Sequence, residues 1–149
     1  MLLSCCAWAL TGPEEHIIEE LAACGFEWLD IRPGMFKTPA AISTLQQRRV
    51  GLSCIALSAG MPDAGLDAPD ADDALEHCRR ALATAETAGI RHAYLVPGYD
   101  PSPPALERYA QRLRQVAANA ALHRFSLSLE HFPGRALPTV DATLDFIGT

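Results

Sequence analysis

Ala93-Tyr94-Leu95-Val96-Pro97-Gly98, followed by Ser102-Pro103-Pro104, is the stretch whose reading decides the fold. Four apolar residues make a run of strand length, Pro97-Gly98 breaks it, and Ser102 before a first-turn proline opens a helix. Leu106, Tyr109, Leu113 and Val116 then recur at helical spacing and form the apolar stripe of that helix.

The same grammar continues in both directions. Upstream, residues 52–57 form an apolar strand, and residues 60–69, broken by glycine and proline, form a loop longer than the usual few residues. A helix follows it, with Asp70, Asp72 and Asp73 crowding its start, Leu75, Cys78, Leu82 and Ala85 inward, and Gly89 as its stop. Acidic residues favour helix starts, and the three aspartates lack the glycine and downstream Glu of a calcium loop, so they are read as capping. Further upstream, residues 28–31 make a second strand, Thr38-Pro39 caps a helix with Ile42 and Leu45 as a thin apolar face, and Arg48-Arg49 complement its carboxyl end.

The first strand is expected over 2–8. Thr11 and Glu14 stand at capping-box spacing before a helix that carries Ile17, Ile18, Leu21 and Ala22 on one face and stops at Gly25. Downstream, residues 125–130 make the fifth strand, and a last helix from Thr139 buries Val140, Leu144 and Ile147. Five strand-helix alternations imply parallel strands joined by right-handed crossovers. Two α/β architectures accept them: an open doubly wound sheet of flavodoxin type, or a (β/α)8 barrel that needs roughly 250 residues.

Composition bounds the function. With 49% hydrophobic and 20% charged residues over 149 positions, the chain can bury a core as one domain. A formal charge of -6 repels a phosphate backbone, so nucleic acid is excluded as a partner. The five cysteines are an odd number without CxxC spacing and fit buried free thiols in a reducing cytoplasm. The start lacks the positive region of a signal peptide, and no apolar stretch approaches the roughly 20 residues of a membrane span.

In either architecture, ligands bind beyond the carboxyl ends of the strands, which directs attention to Trp8, Asp30 with Arg32, Ser58, Pro97-Gly98-Tyr99-Asp100, and Glu130 with His131. No Gly-x-Gly-x-x-Gly or Gly-x-x-x-x-Gly-Lys follows a strand, so the usual phosphate cradles are absent. Glu130 would stand at the mouth of a parallel sheet, where a buried carboxylate requires a partner such as a divalent metal; from spacing alone, a solvated strand end or a pair with Arg135 accounts for it more simply. Strand alternation sends His131 to the opposite side. Asp30 and Arg32 alternate and can share one cavity, with Arg32 holding a phosphate or carboxylate, or they can pair with each other. Trp8 is either a wall for a sugar or core packing.

Cys24-Gly25-Phe26-Glu27-Trp28-Leu29-Asp30-Ile31 and Leu127-Ser128-Leu129-Glu130-His131-Phe132-Pro133-Gly134 together resemble the xylose-isomerase-like barrel superfamily. This superfamily of sugar-phosphate isomerases and epimerases also includes the endonuclease IV type enzymes. The resemblance implies a (β/α)8 TIM barrel truncated to about five β/α units, one partial domain over residues 1–149. It implies a divalent metal held by a Glu ending the fifth strand, here Glu130, by an Asp and a His after later strands, and by a Glu ending the eighth.

Manganese or magnesium suits such oxygen-rich ligation, with zinc or cobalt as further choices. Glu130 would be both a ligand and one of the acid/base pair, while Trp8, Asp30 and Arg32 would contact a sugar or sugar phosphate. The family often carries Glu where this chain has Asp30. The expected function is a cytoplasmic isomerase or epimerase, inactive as this piece alone, with a homo-oligomer open to the full-length parent. Two alternatives stand beside it: an endonuclease IV-like metal-dependent hydrolase, which would want histidines at the second and third strand ends, and a non-catalytic five-strand binding module.

Overall fold

The computed structural model describes residues 3–61 and 65–148. Leu2, expected to start the first strand, the middle of the 60–69 loop, and Thr149 lie outside the described residues. The elements are β1 (Ser4–Cys6), a 3₁₀ turn (Ala7–Ala9), α1 (Glu14–Ala23), β2 (Trp28–Ile31), α2 (Pro39–Arg48), β3 (Gly51–Ala56), α3 (Asp72–Thr87), β4 (His92–Leu95), α4 (Pro103–Leu122), β5 (Ser126–Leu129) and α5 (Val140–Ile147).

The five strands form one parallel sheet in the order β1-β2-β3-β4-β5. That order separates the two architectures. A flavodoxin sheet sends its chain back past the first strand and puts helices on both faces, whereas sequential right-handed crossovers put every helix on one face. The structure is therefore five β/α units of a (β/α)8 barrel wall, with β1 and β5 as edges.

Strand alternation gives the wall its two faces. Leu29, Ile31, Ile55, Leu57, Ala93 and Leu95 are buried beneath the helices, where they meet Ile17, Ile18, Ala74, Leu82 and Val116. Between them Trp28, Asp30, His92 and Tyr94 turn to the other, inner face and are only half-buried. Ser126 and Ser128 continue that face on β5. The inner face is thus largely polar. Gly51 is required at its floor, because a Cβ there would collide with the Trp28 ring.

Local signals account for most element boundaries. Thr38 Oγ1 accepts the Ala41 amide proton at 3.1 Å and caps α2 ahead of Pro39. Gly25 ends the turn after α1 at φ +89, a conformation that costs glycine nothing. The Thr11–Glu14 capping box does not form, since Pro13 takes the N-cap position and α1 begins only at Glu14. Asp70 Oδ1 accepts the Asp72 amide at 3.3 Å, so part of the acidic cluster does cap α3.

Two helices expose residues expected inside. On α2 the core contacts are Ala41 and Leu45, and Ile42 is outside. On α5, Val140, Leu144 and Ile147 are 53%, 61% and 58% exposed, while Thr143 is buried and the Phe146 ring lies 5.8 Å from Tyr109 on α4. Periodicity locates an apolar stripe, but the neighbouring helix decides which face is covered.

The β3–α3 connection is held from α4. Arg108 Nε donates to the carbonyl of Asp67 at 2.8 Å, and Arg112 donates to those of Leu66 at 3.0 Å, Pro69 at 2.8 Å and Ala68. Two arginines one helical turn apart so bind four consecutive carbonyls that would otherwise lack partners.

Buried thiols make stability sensitive to alkali. Burial pushes the Cys78 thiol up to about 12 from an ordinary 9.0. Cys54 is raised by burial first and by the Asp30 charge second. A raised thiol contributes its full stability below pH 9; above that the unfolded chain loses the proton first, costing about 1.4 kcal/mol per pH unit for each thiol. Urea unfolding from pH 8 to 11 is expected to show this decline, shallower by one proton per molecule in Cys78→Ala. Equal slopes in the two proteins would refute it.

Candidate active site

Beyond the carboxyl ends of the strands, the inner face closes around a concavity of about 560 Å³. Trp8, Asp30 and Glu130 all line it, brought together from β1, β2 and β5, with Cys54, His92 and Tyr94 between them. Arg32 does not. The strand ends at Ile31, alternation ends with it, and Arg32 is exposed on a turn where its carbonyl accepts the Met35 amide at 3.3 Å. Ser58 also lies apart, its hydroxyl bonded to the Val96 backbone.

Trp8 stands in the 3₁₀ turn after β1 rather than at a strand end. Its Nε1 donates to the Tyr94 hydroxyl at 2.7 Å, which fixes the indole against the cavity wall. Burial holds the Tyr94 phenol well above its ordinary value, so it stays protonated.

Asp30 pairs with serines, not with Arg32. Its Oδ1 receives the hydroxyls of Ser4 and Ser53, both at 2.5 Å, the short range of charge-assisted bonds. A register shift makes this possible: Leu29 pairs with Leu52 but Asp30 pairs with Cys54, so Ser53 bulges and two consecutive residues face one carboxylate. Asp30 is thereby part of a polar knot across three strands.

Glu130 follows β5 directly and its amide donates to Leu95 at 2.9 Å, which sets its level on the wall. The carboxylate is exposed and has no ion pair among the described residues. Arg135, the expected partner, instead lies 3.7 Å over the Tyr99 ring. His131 is exposed too, because β5 has already ended. Nearby, the Ser128 hydroxyl and His92 Nε2 are 3.3 Å apart.

The donor set does not amount to a metal site. Among the described residues no three His, Cys, Asp or Glu side chains cluster as ligands. Asp30 is engaged by two serines, His92 by Ser128, and Glu130 remains as one hard oxygen donor. No helix among the described residues is long and apolar enough to cross a membrane.

Tyr94 and His92 were missed by sequence reading. The signal was present in His92-Ala93-Tyr94-Leu95, whose alternation puts both polar rings opposite the buried Ala93 and Leu95.

Known proteins place the wall among complete barrels. The chain superposes on the probable 3-DHS dehydratase of petrobactin synthesis from Bacillus anthracis with a TM-score of 0.77 at 20% identity, covering 99% of this chain and 58% of that one. A D-allulose 3-epimerase from Methylomonas sp., in complex with D-allulose, gives 0.77 at 17% identity, covering 97% and 57%. A xylose isomerase-like TIM barrel protein from Mycobacterium smegmatis in complex with magnesium gives 0.71 at 15%, covering 92% and 53%. The chain thus spans somewhat over half the length of these structures. No curated protein matches it in sequence. The sequence pattern of one family matches residues 18–149, from within α1 onward and so four of the five strands, and the chain belongs to that family, the xylose isomerase-like TIM barrels.

Proposed function

We propose that these five units are part of a divalent-metal-dependent isomerase or epimerase acting on a sugar or sugar phosphate, with its substrate in the inner cavity. The observation that carries the reading is the meeting of Trp8 from the turn after β1, Asp30 of β2 and Glu130 just after β5 at the carboxyl mouth of the wall. That is where barrel enzymes assemble their sites. The similar structures holding D-allulose and magnesium support a small sugar and a divalent ion.

Moving a proton next to a carbonyl requires a base and a charge that stabilises the oxygen of the enediolate. Glu130 is assigned as one metal ligand and one member of the acid/base pair. Its exposure and hard oxygens suit manganese or magnesium, ahead of zinc or cobalt. Trp8, fixed by Tyr94, forms an apolar wall for the sugar ring or chain. Asp30 shapes the cavity through Ser4 and Ser53, and Arg32, exposed on the turn after β2 and outside the cavity lining, is assigned to the anionic end of a sugar phosphate. The other ligands would come from further β/α units, so the five units alone are inactive.

The test uses a protein carrying all eight units, incubated with ketoses in heavy water. Deuterium is expected to enter the carbon beside the carbonyl when manganese or magnesium is present and to stop entering when the metal is chelated. Absence of exchange with every ketose and metal tried would overturn the proposal.

A further inference from the structure

A second concavity, of about 800 Å³, lies on the helix-covered side of the wall and shares no residue with the inner cavity. α2 packs against α1 and α3 against α4, so α2 and α3 stand apart and leave a groove beside the start of β3. Phe36, Leu45 and Val50 form its buried floor, with half-buried Leu52 next to them. Ile42, expected in the core, is 44% exposed and forms one wall. Ala83 of α3 and Ala88 at its end, both exposed, form the other.

The threonines of the lining do not interrupt this apolar surface with donors. Thr84 Oγ1 donates to the Arg80 carbonyl at 2.9 Å, and Thr87 Oγ1 donates to that of Ala83 at 3.1 Å. Both hydroxyl protons are taken up within α3, so neither is offered to the groove. Gln46 and Lys37 are the other polar side chains of the lining. Lys37 has no ion pair or hydrogen bond among the described residues. No Asp or Glu lines the groove, in a chain whose acidic residues outnumber its basic ones by 18 to 12. The groove therefore offers one uncompensated positive charge beside an apolar trough.

Size selects the kind of occupant. The volume falls within the roughly 300–1,000 Å³ of small-molecule pockets, and far fewer residues line the groove than the roughly 20–30 a side of a protein interface. An occupant that matches both the trough and the charge has an alkyl chain and an anionic head.

We propose that the groove between α2 and α3 binds a free fatty acid, its carboxylate at Lys37 and its alkyl chain along Ile42, Leu45, Val50 and Leu52. The proposal is independent of the function assigned to the inner cavity.

The 149-residue chain is titrated by calorimetry with octanoate, decanoate and decanol, each below the concentration at which it aggregates. One saturable site is expected, about tenfold tighter for decanoate than for octanoate, the gain from burying two more methylenes. Lys37→Gln is expected to weaken decanoate about threefold and to leave decanol unchanged, since an exposed ion pair adds little but depends on the charge. Ile42→Gln and Ala83→Gln alter exposed positions on the two walls, so their folding is not at issue; each is expected to weaken both ligands about fivefold or more. Leu144→Gln, on the separate apolar stripe of α5, is expected to weaken neither.

The proposal is overturned if decanoate does not saturate, if it binds no tighter than octanoate, or if Lys37→Gln leaves decanoate unchanged or weakens decanol equally. It is also overturned if Leu144→Gln weakens binding as much as Ile42→Gln, which would mean adsorption on apolar surface at large. Sedimentation of the ligand-free chain tests the other occupant: a monomer is expected, and a dimer that Ile42→Gln dissociates would make the groove an interface between copies and overturn the fatty-acid reading.

Discussion

Glu130→Gln, made in a protein that carries the complete barrel, is expected to lower turnover by about 10³-fold or more while leaving the fold and its unfolding midpoint unchanged. The substitution keeps shape and removes charge. Glu130 is exposed and has no ion pair among the described residues, so none of their pairs is lost and the five units have no reason to lose stability. On the proposed function turnover would depend on the charge twice, once as a metal ligand and once as a proton acceptor, which is why the expected loss is large. Metal content measured on the same variant should fall with activity. Near-normal turnover and metal content would remove Glu130 from the mechanism. A matching experiment on the 149-residue chain follows from its donor set: calorimetry with manganese or zinc is expected to show no stoichiometric binding.

The largest effect on stability is expected from Leu29→Ala. Leu29 is 0% exposed, lies on β2 between two paired strands and belongs to the core beneath the helices. Removing its side chain loses transfer free energy and opens a cavity that a sheet flanked on both sides closes poorly, for a cost of about 3–4 kcal/mol. Against the 5–15 kcal/mol typical of a domain, roughly a third of the stability disappears. Leu144→Ala is the internal control. Leu144 is 61% exposed on α5, and the same chemical change there is expected to alter stability by no more than about 0.5 kcal/mol. Urea unfolding of the two variants side by side checks the assignment of faces, and comparable losses would show that α5 buries the stripe that the structure leaves open.

Much of the architecture was legible because strand and helix periods differ. Residues 28–31 were read as a strand with the observed ends, and the caps at Thr38 and Gly25 could be named from residue type. Legibility failed where a partner far along the chain decides the outcome. Val140, Leu144 and Ile147 form a genuine stripe, yet Thr143 is the buried residue and the Phe146 ring meets Tyr109 of α4. For Asp30, local alternation offers Arg32, two residues away, as a neighbour in one cavity or as a pairing partner. Its partners are Ser4 and Ser53, reached across two strand boundaries through a register shift that no local pattern announces. The hold of Arg108 and Arg112 on the Leu66–Pro69 carbonyls spans more than 40 positions and was equally invisible.

Trp8, Asp30 and Glu130 line the inner cavity and were named from sequence because parallel sheets bind ligands beyond their strands' carboxyl ends. Tyr94 and His92 were overlooked because they sit inside a strand rather than beyond it, where inward orientation follows from register and not from position at an end.

The strand order β1-β2-β3-β4-β5 bears on how such a chain is made on the ribosome. Each strand pairs with the one synthesised just before it, so every pairing can close as soon as its own helix has emerged. No strand has to wait exposed for a distant mate, and the loop to be closed is never longer than one crossover. A wall of this kind can grow vectorially, its newest strand always offering a free edge to the next. The same property makes five units a coherent folding intermediate of an eight-unit barrel, with the final pairing of first and last strands as the one long-range step.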